Sequence, residues 1–413
     1  MILNRSVKGV VLVCCLSIMA VMAACGGGGE SGDSNDDRPQ MVDRRSAHTA
    51  TMLSDGRLLV VGGRNDLITY TSAEIYDPIS SDKNPHGSWS PAGDMQERRY
   101  DHVAISLQNG LVLAAGGDLM ETGGTYQKVE SSAAVSSAEL FDPTSGTWTS
   151  VGPMLHPHGL GLTGTLLQNG KVLITGGLAP SATEGAPREG SKRSEIYDPA
   201  TNTWTATGDL TEGRAKHQAV LLKTGKVLVI GGNSAELYDP ATGKWSAVAQ
   251  IPNNHGVQFS ATLLSDGRIL VAGGGLVTTV EGIETRPPSP VDTVDIFDPA
   301  TSKWIESGPM VSPELGHTST LLTDGTVLLV GPVSAQLYDA TNDSWTVAGD
   351  MSTQRGAPFI GGPAGSSHTA TLLNNGKVAV IGGEELELNK FGATVNREAI
   401  GSFEIYNPGS GWE

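Results

Sequence analysis

Cysteine is nearly absent from the 413-residue chain, because its three copies, Cys14, Cys15 and Cys25, all lie close to the start. After Cys25 the chain can form no internal disulfide and offers no thiolate ligand or cysteine nucleophile. Charged residues are also few, at 17%, and with 54 glycines this composition argues against long exposed helices and against disorder. The formal net charge is −17, so no positive field exists to attract nucleic acid or an anionic membrane surface.

The first 24 residues have the pattern of a secretory signal. Arg5 and Lys8 precede an apolar stretch from Val10 to Met22, which is followed by small residues. The sequence Met22-Ala23-Ala24-Cys25 resembles a bacterial lipobox, which implies cleavage before Cys25 and a diacylglyceryl thioether on its sulfur. An ordinary secretory signal and an uncleaved anchor are the alternatives, although the apolar stretch is shorter than the about 20 residues that span a bilayer.

The chain is expected to divide into three parts. Residues 1–24 are the signal peptide, residues 25–40 form a flexible tether rich in Gly and Asp, and residues 41–413 form the folded body. The expected location is the cell envelope, with the lipid holding the protein to a membrane, the outer membrane if there is one, or an extracellular location. Membrane contact is then made only through the lipid, and the protein is expected to be monomeric.

Seven tryptophans mark an internal repeat that covers the folded body. Each follows an aromatic-Asp-Pro stretch or a close variant, which in turn follows a pair of glycines, as in Gly62-Gly63, Tyr76-Asp77-Pro78 and Trp89. In the sixth unit Gly331-Pro332 replaces the glycine pair. The seven are Trp89, Trp148, Trp204, Trp245, Trp304, Trp345 and Trp412.

Each unit predicts four antiparallel strands. The first alternates apolar and polar residues and leads into a turn such as Asp55-Gly56, which predicts a two-residue type I′ hairpin. The second strand is apolar at consecutive positions, so both of its faces must be covered. The third strand carries the Glu-x-aromatic-Asp stretch and the fourth carries the tryptophan. Because such a unit cannot bury both faces alone, the sequence predicts an all-β, seven-bladed β-propeller of four-stranded antiparallel blades.

The order of these motifs resembles that of kelch repeats, which implies a kelch-type propeller. Kelch propellers serve as binding modules, enzyme scaffolds and structural units, so the resemblance fixes a fold and leaves the function open. Among kelch enzymes, galactose oxidase uses copper with a tyrosine cross-linked to a cysteine. The body of this chain has no cysteine, so that cofactor is excluded and no cofactor is expected.

The two sides of the propeller differ in their predicted loops. Turns after the first and third strands are short in every unit, whereas the connections after the second strand are long in units two, three, five and seven. These long connections run over residues 118–137, 178–193, 275–293 and 384–402. Variable loops on a rigid frame are typical of recognition surfaces, and tolerated drift of surface loops is the alternative.

A polar pair recurs on this same side, before and at the start of each first strand. Two interpretations are open, a structural role in which the side chains donate to loop carbonyls, and a ring of donors that selects an anionic or hydroxyl-rich ligand. A metal site is disfavoured, because ligands spread around a ring lie too far apart for bonds of about 2 Å. The candidate face consists of Arg45, His48, Arg99, His102, His158, Arg214, His217, His255, Glu314, His317, Arg355 and His368, with Leu162 and Phe259 as irregular members.

The functional prediction is a non-catalytic, envelope-anchored scaffold that binds a protein or a glycan through the variable loops. The alternative is a carbohydrate-active enzyme with its site at the axial mouth, which could use Glu314 or His158, and a plain structural spacer is the third possibility. The glutamate of the third strand, such as Glu74 or Glu139, is interpreted as a tie between blades and not as a catalytic acid.

Overall fold

In the computed structural model, the described residues form seven four-stranded antiparallel sheets arranged as a β-propeller, which confirms the predicted fold. The expected signal peptide, Cys25 and nearly all of the expected tether lie outside the described residues. The described ranges are 40–65, 67–79, 86–120, 132–180, 188–277, 279–280, 283–284, 288–332, 334–353, 355, 368–388 and 394–413.

Each blade consists of four strands that follow one another along the chain. Blades one to four consist of Thr49–Met52, Leu58–Val61, Ala73–Asp77 and Ser88–Pro91; Val103–Ser106, Val112–Ala115, Ala138–Asp142 and Thr147–Val151; Leu162–Leu166, Val172–Gly176, Ser194–Asp198 and Thr203–Ala206; and Gln218–Leu221, Val227–Gly231, Ser234–Asp239 and Lys244–Ala247. Blades five to seven consist of Ser260–Leu263, Ile269–Ala272, Val294–Asp298 and Lys303–Glu306; Thr318–Leu321, Val327–Val330, Ser334–Asp339 and Ser344–Asp350; and His368–Leu372, Val378–Gly382, Phe403–Asn407 and Gly411–Trp412.

Several connections after the second strand contain strand pairs of their own. They rise on the side of the propeller that we call the loop-rich face, defined by the connections between the second and third strands. The pairs are Asp118–Met120 with Ser132–Ala134, Gly275–Leu276 with Ser289–Pro290, Thr279–Val280 with Ile283–Glu284, and Glu384–Leu388 with Thr394–Ala399.

The first strands form a closed ring around the central axis. Each contacts the first strand of the next blade, and that of blade seven contacts that of blade one. The segment before blade one completes this closure, because the Met41 and Arg45 amides donate to the carbonyls of Gly401 and Ile400 in blade seven, both at 3.3 Å. A closed ring gives every blade a neighbour on both faces, so no blade face is left uncovered.

The cores lie between adjacent blades. The second strands, such as Leu58–Val61, are fully buried, as their unbroken apolar sequence predicted. Each tryptophan of a fourth strand packs on the aromatic residue opposite it in the third strand, with ring centroids 5.2 Å apart for Tyr76 and Trp89 and 4.9 Å apart for Tyr197 and Trp204. The aromatic residue and the tryptophan of the repeated motif therefore pack on each other within a blade and contribute to the core that it shares with its neighbour.

The turn between the first and second strands is not the predicted type I′ turn. In blade one only Gly56 has a positive φ, of 90°, and Asp55 does not. The Gly56 amide donates to the Leu53 carbonyl at 3.1 Å and the Leu53 amide donates to the Arg57 carbonyl at 2.8 Å. This is a three-residue loop, a type I turn followed by a left-handed glycine. The Asp55 side chain accepts the Arg57 amide at 3.0 Å, which favours this loop over the two-residue one.

Candidate functional site

A buried ion pair joins two segments of blade two. The Arg99 guanidinium donates to Glu139 at 3.1 Å and to the carbonyl of Gly116 at 3.0 Å. The Glu139 carboxylate also accepts the backbone amides of Gln96 and Glu97, at 2.7 and 3.1 Å, in the connection that enters the blade. We call this arrangement the clasp. It fixes the entering connection to the third strand.

The clasp recurs in all seven blades with two kinds of substitution. In blades three and five a histidine replaces arginine, and both ring nitrogens of His255 face oxygen acceptors, Gly273 and Asp295, each at 2.9 Å. In blade six both charged residues are replaced, so that Glu314 faces Ser334 and Gln336. The clasp pairs are Arg45–Glu74, Arg99–Glu139, His158–Glu195, Arg214–Glu236, His255–Asp295, Glu314–Gln336 and Arg355–Glu404.

The clasp also reaches the preceding blade. The Arg99 carbonyl accepts the Gly63 amide of blade one at 2.9 Å. A Cβ at Gly62, whose φ is 64°, would lie 2.6 Å from that same carbonyl oxygen, so the glycine pair leaves room for this approach. The hydrogen bond to the neighbouring blade is therefore made by the arginine and not by the glutamate that was predicted to tie the blades. The carboxylate holds the entering connection, and the arginine carbonyl bonds to the neighbour.

A second ring of side chains links the first strands. His102 Nε2 lies 3.1 Å from Thr49 Oγ1, and His217 Nε2 lies 2.8 Å from Thr163 Oγ1 of the preceding blade. The other pairs of this kind are His48 with Thr369, His317 with Ser260 and His368 with Thr318. Leu162 and Phe259 occupy the histidine position in blades three and five, so the ring of histidines is interrupted twice.

These five histidines are held neutral by their surroundings. Burial, followed by the charge of nearby arginines or histidines, lowers the pKa of His48, His217 and His317 to about 3 and that of His368 to about 4. Burial and the charge of Arg99 hold the pKa of His102 well below its usual value. A neutral imidazole is sufficient here, because it can form a hydrogen bond with the hydroxyl partner without carrying a charge.

All twelve residues of the predicted candidate face are buried beneath the loop-rich face. Their exposed fractions lie between 0% for Arg45 and 7% for Glu314. Seven of them form clasps, and five form the histidine ring. The structure thus places each clasp residue beside its partner in the same blade and each histidine beside a hydroxyl group of the preceding blade. The use of these residues as a binding surface stays a prediction.

A cavity of about 440 Å³ opens among the first strands, at the loop-rich end of the axis. Its walls carry hydroxyl, amide and charged side chains, among them Thr163, Ser319, Asp101, Lys216 and Gln258. His217 and His317 of the histidine ring also line it. We call it the axial pocket.

In blades one to six, where the structure describes it, the residue before the histidine position of the first strand has a left-handed backbone. In blade one this residue is Ala47, with a φ of 52°. The φ is 48° at Asp101, 56° at Lys216 and 60° at Gln258, and the corresponding residues Gly161 and Gly316 have 75° and 70°. A side chain in this region is strained, and glycine is the residue that adopts it freely. Sequence reasoning missed these positions. The signal that could have found them is the glycine at the aligned place in blades three and six, Gly161 and Gly316.

Charges of both signs surround Asp101. Burial raises the pKa of the Asp101 carboxyl to about 6, and Arg64, Lys216, Asp118 and Glu384 are close enough to act on it. Asp118 is paired with Arg188 of the blade-three connection at 2.5 and 3.0 Å. Glu384 of the blade-seven connection accepts from Arg64 at 3.1 Å. These pairs bind the connections of neighbouring blades to one another across the loop-rich face.

Comparison with known proteins places the chain among kelch propellers. No family model matches it. Galactose oxidase from Gibberella zeae is 26% identical over 328 residues, 70% of this chain and 43% of that protein. Kelch-like protein 35 from Mus musculus is 24% identical over 283 residues, 66% of this chain and 42% of that protein. The chain thus spans less than half the length of either relative.

A solved structure agrees on the fold. A fungal alcohol oxidase of the AA5 family, in complex with copper, superposes with a TM-score of 0.61 at 16% identity, over 86% of this chain and 74% of its own. At this identity the likeness concerns the fold alone. Motifs, blades and relatives together define the class, and the chain is a seven-bladed kelch-repeat β-propeller.

The residues do not fit the copper site that the oxidase relatives imply. The three cysteines all precede the propeller, so no propeller tyrosine has a cysteine neighbour to cross-link with. Within the described ranges no group of three His, Cys, Asp or Glu side chains is placed to hold a metal ion. In the same part of the chain, no helix is long and apolar enough to cross a membrane.

Proposed function

We propose that the chain is an envelope lipoprotein whose propeller binds a protein partner through the loop-rich face. The observation that supports this proposal most directly is the contrast between the two ends of the axis. The far end carries the same three-residue turn after each first strand and short turns after the third strand in blades two to seven. The loop-rich end carries connections of different length that are cross-linked by partly buried ion pairs. A rigid platform with individual loops is suited to recognition.

Exposed apolar side chains on the loop-rich face also support a protein partner. Leu67 and Ile68 of the blade-one connection are 52% and 46% exposed, and Leu276 of the blade-five connection is 36% exposed. Apolar side chains that leave water on binding supply much of the energy of protein interfaces. A glycan, which presents mostly hydroxyl groups, would make less use of them.

Photo-crosslinking in intact cells tests the platform. A photoreactive amino acid at Leu67 or Leu276 is expected to capture the same protein partner, and a matched placement at Asn109 or Asn375, in turns of the far end, is expected to capture none. Joining Met120 to Ser132 by an Asn-Gly turn, so that residues 121–131 are removed, is expected to weaken the capture. Equal capture from both ends, or a captured glycan in place of a protein, would refute the proposal.

The lipid anchor is tested separately. We expect a labelled fatty acid to be incorporated into the natural protein and not into the Cys25→Ser variant, while a Cys14→Ser variant keeps the label. If Cys25→Ser keeps the label, the lipoprotein assignment is wrong, whatever the fate of the platform. Glu314 and His158, which the carbohydrate-enzyme alternative names, are buried inside clasps, and this favours the binding proposal.

A further inference from the structure

We propose that the axial pocket binds a small, uncharged, hydroxyl-rich molecule through the side chains of Asp101, Lys216 and Gln258. This site lies on the axis, below the connections that form the loop-rich face, and it does not depend on a protein partner. Symmetry, backbone strain and charge balance support it.

Symmetry separates structural positions from individual ones in a repeat protein. The clasp and the buried second strand keep their character from blade to blade, because each blade needs the same contacts. The pocket is where this regularity ends. The histidine position becomes Leu162 and Phe259 in blades three and five, and both line the pocket. The position before the first strand varies from Asp101 to Lys216 and Gln258.

The same three residues are strained in their backbone, as is Ala47 at this position in blade one, which does not line the pocket. A non-glycine residue in the left-handed region is strained, and such residues are concentrated at functional sites. Asp is tolerated there better than most residues, so the strain is greater at Lys216 and Gln258. Glycine would be the cheaper choice, and the propeller itself uses it at Gly161 and Gly316.

Close packing explains the glycine at this position in blade three. A Cβ at Gly161 would lie 2.3 Å from the Lys216 backbone nitrogen and 2.8 Å from its Cγ. Lys216 therefore lies across blade three, on the way to Asp101 in blade two. A Cβ at Gly316 would lie 3.8 Å from Gln258 Oε1, so the Gln258 side chain extends beside blade six. Gly161 gives Lys216 the space to lie across the mouth, whereas the contact at Gly316 is an ordinary van der Waals distance.

Charge balance points to an uncharged ligand. Three acids surround the mouth, and each has a cation near it, since Asp118 is paired with Arg188, Glu384 with Arg64, and Asp101 is acted on by Lys216. A charged ligand would gain one partner and face a like charge of similar strength. The hydroxyls of Thr163, Thr318 and Ser319 and the Gln258 amide both donate and accept hydrogen bonds. They match alcohol groups without requiring a net charge.

The size of the pocket agrees with this class. Its volume of about 440 Å³ lies within the range of about 300–1,000 Å³ that is usual for small-molecule sites. One or two sugar-sized rings fit this space, and a folded macromolecule does not.

Calorimetric titration of the full chain tests the proposal with glucose, maltose and myo-inositol as uncharged probes. Glucuronate and glucosamine are the charged probes of matched size. We expect at least one uncharged probe to bind and its charged counterparts to bind at least tenfold more weakly. No binding by any uncharged probe, or equal binding by the charged ones, would overturn the proposal.

Glycine substitutions separate binding from folding. Lys216→Gly and Gln258→Gly remove the side chain that binds the ligand, so we expect tenfold weaker binding. They also release backbone strain, so the melting temperature should equal or exceed that of the natural protein. Ser302→Gly is the matched control, because Ser302 has a φ of 54° in a turn at the far end of the axis, and its affinity should not change. Asp101→Asn, which tolerates the same backbone, is also expected to lose at least tenfold. Unchanged affinity in all three pocket variants would contradict the assignment.

Discussion

Arg45 and Glu74 form a buried ion pair of 2.9 Å that holds the segment before the first blade onto the third strand of that blade. The Glu74 carboxylate also accepts the backbone amides of Val42 and Asp43, at 2.8 and 3.2 Å. Met41 of the same segment bonds to blade seven. This pair therefore anchors the segment before blade one in the same way as the other clasps anchor the connections that enter their blades.

Removing one partner of a clasp is expected to be strongly destabilising. Arg99→Met leaves the Glu139 carboxylate buried without its cation, which costs about 3–5 kcal/mol in comparable buried pairs. The double variant Arg99→Met with Glu139→Gln is expected to recover part of this loss, because it leaves no unpaired buried charge. Blade six already has a glutamine, Gln336, at the position of Glu139. Thermal and urea denaturation measure both effects.

The exposed pair Arg57 and Asp55 supplies the control for the clasp variants. Arg57→Met is expected to cost no more than about 1 kcal/mol, since water screens this pair. If Arg99→Met is as mild as Arg57→Met, the clasp does not hold the blade.

The histidine ring predicts that the propeller loses stability in mild acid. The folded-state pKa values of about 3 to 4 lie below the unfolded value of about 6.5, so the unfolded chain binds more protons between these limits. The stabilisation is complete above pH 6.5 and declines as the pH falls toward 4. Melting temperatures over this range measure the decline.

Replacing one histidine of the ring checks its origin. His102→Leu, which copies Leu162 of blade three, is expected to lower stability at pH 8 because the bond to Thr49 is lost. It should also make stability less dependent on pH between 6.5 and 4, because one fewer group takes up a proton on unfolding. An unchanged pH dependence would show that other groups cause the acid lability.

Glu314 predicts the opposite pH dependence. Burial raises the pKa of its carboxyl, against the effect of hydrogen bonds from Ser334 and Gln336. The folded protein then binds more protons than the unfolded chain above pH 4.5, so this contribution is complete below that pH and is lost as the pH rises. Glu314→Gln is expected to raise the melting temperature at pH 8 and to have little effect at pH 4. A lower melting temperature at pH 8 would contradict this account.

Repetition decides what could be predicted from the sequence. The blade number and the strand order could be predicted because one unit occurs seven times. Its glycines, its polar third-strand residue and its tryptophan recur because each is needed for packing. The type I′ turn was predicted wrongly, since Asp55-Gly56 is compatible with two loop lengths and the bond from Arg57 to the Asp55 side chain decides between them. The left-handed Lys216 and Gln258 were missed, because neither residue type favours that backbone and only the glycines at the aligned positions, Gly161 and Gly316, indicate it.

Hydrogen exchange of the natural protein tests the central claim, that clasps fix each entering connection and that Arg45 and Glu74 close the ring. The amides of Val42 and Asp43 should be protected as strongly as those of Gln96 and Glu97, which meet Glu139 in blade two. We expect all four to exchange at least about 100-fold more slowly than in an unstructured peptide. Exchange of Val42 and Asp43 at the unstructured rate, with Gln96 and Glu97 protected, would contradict the closure.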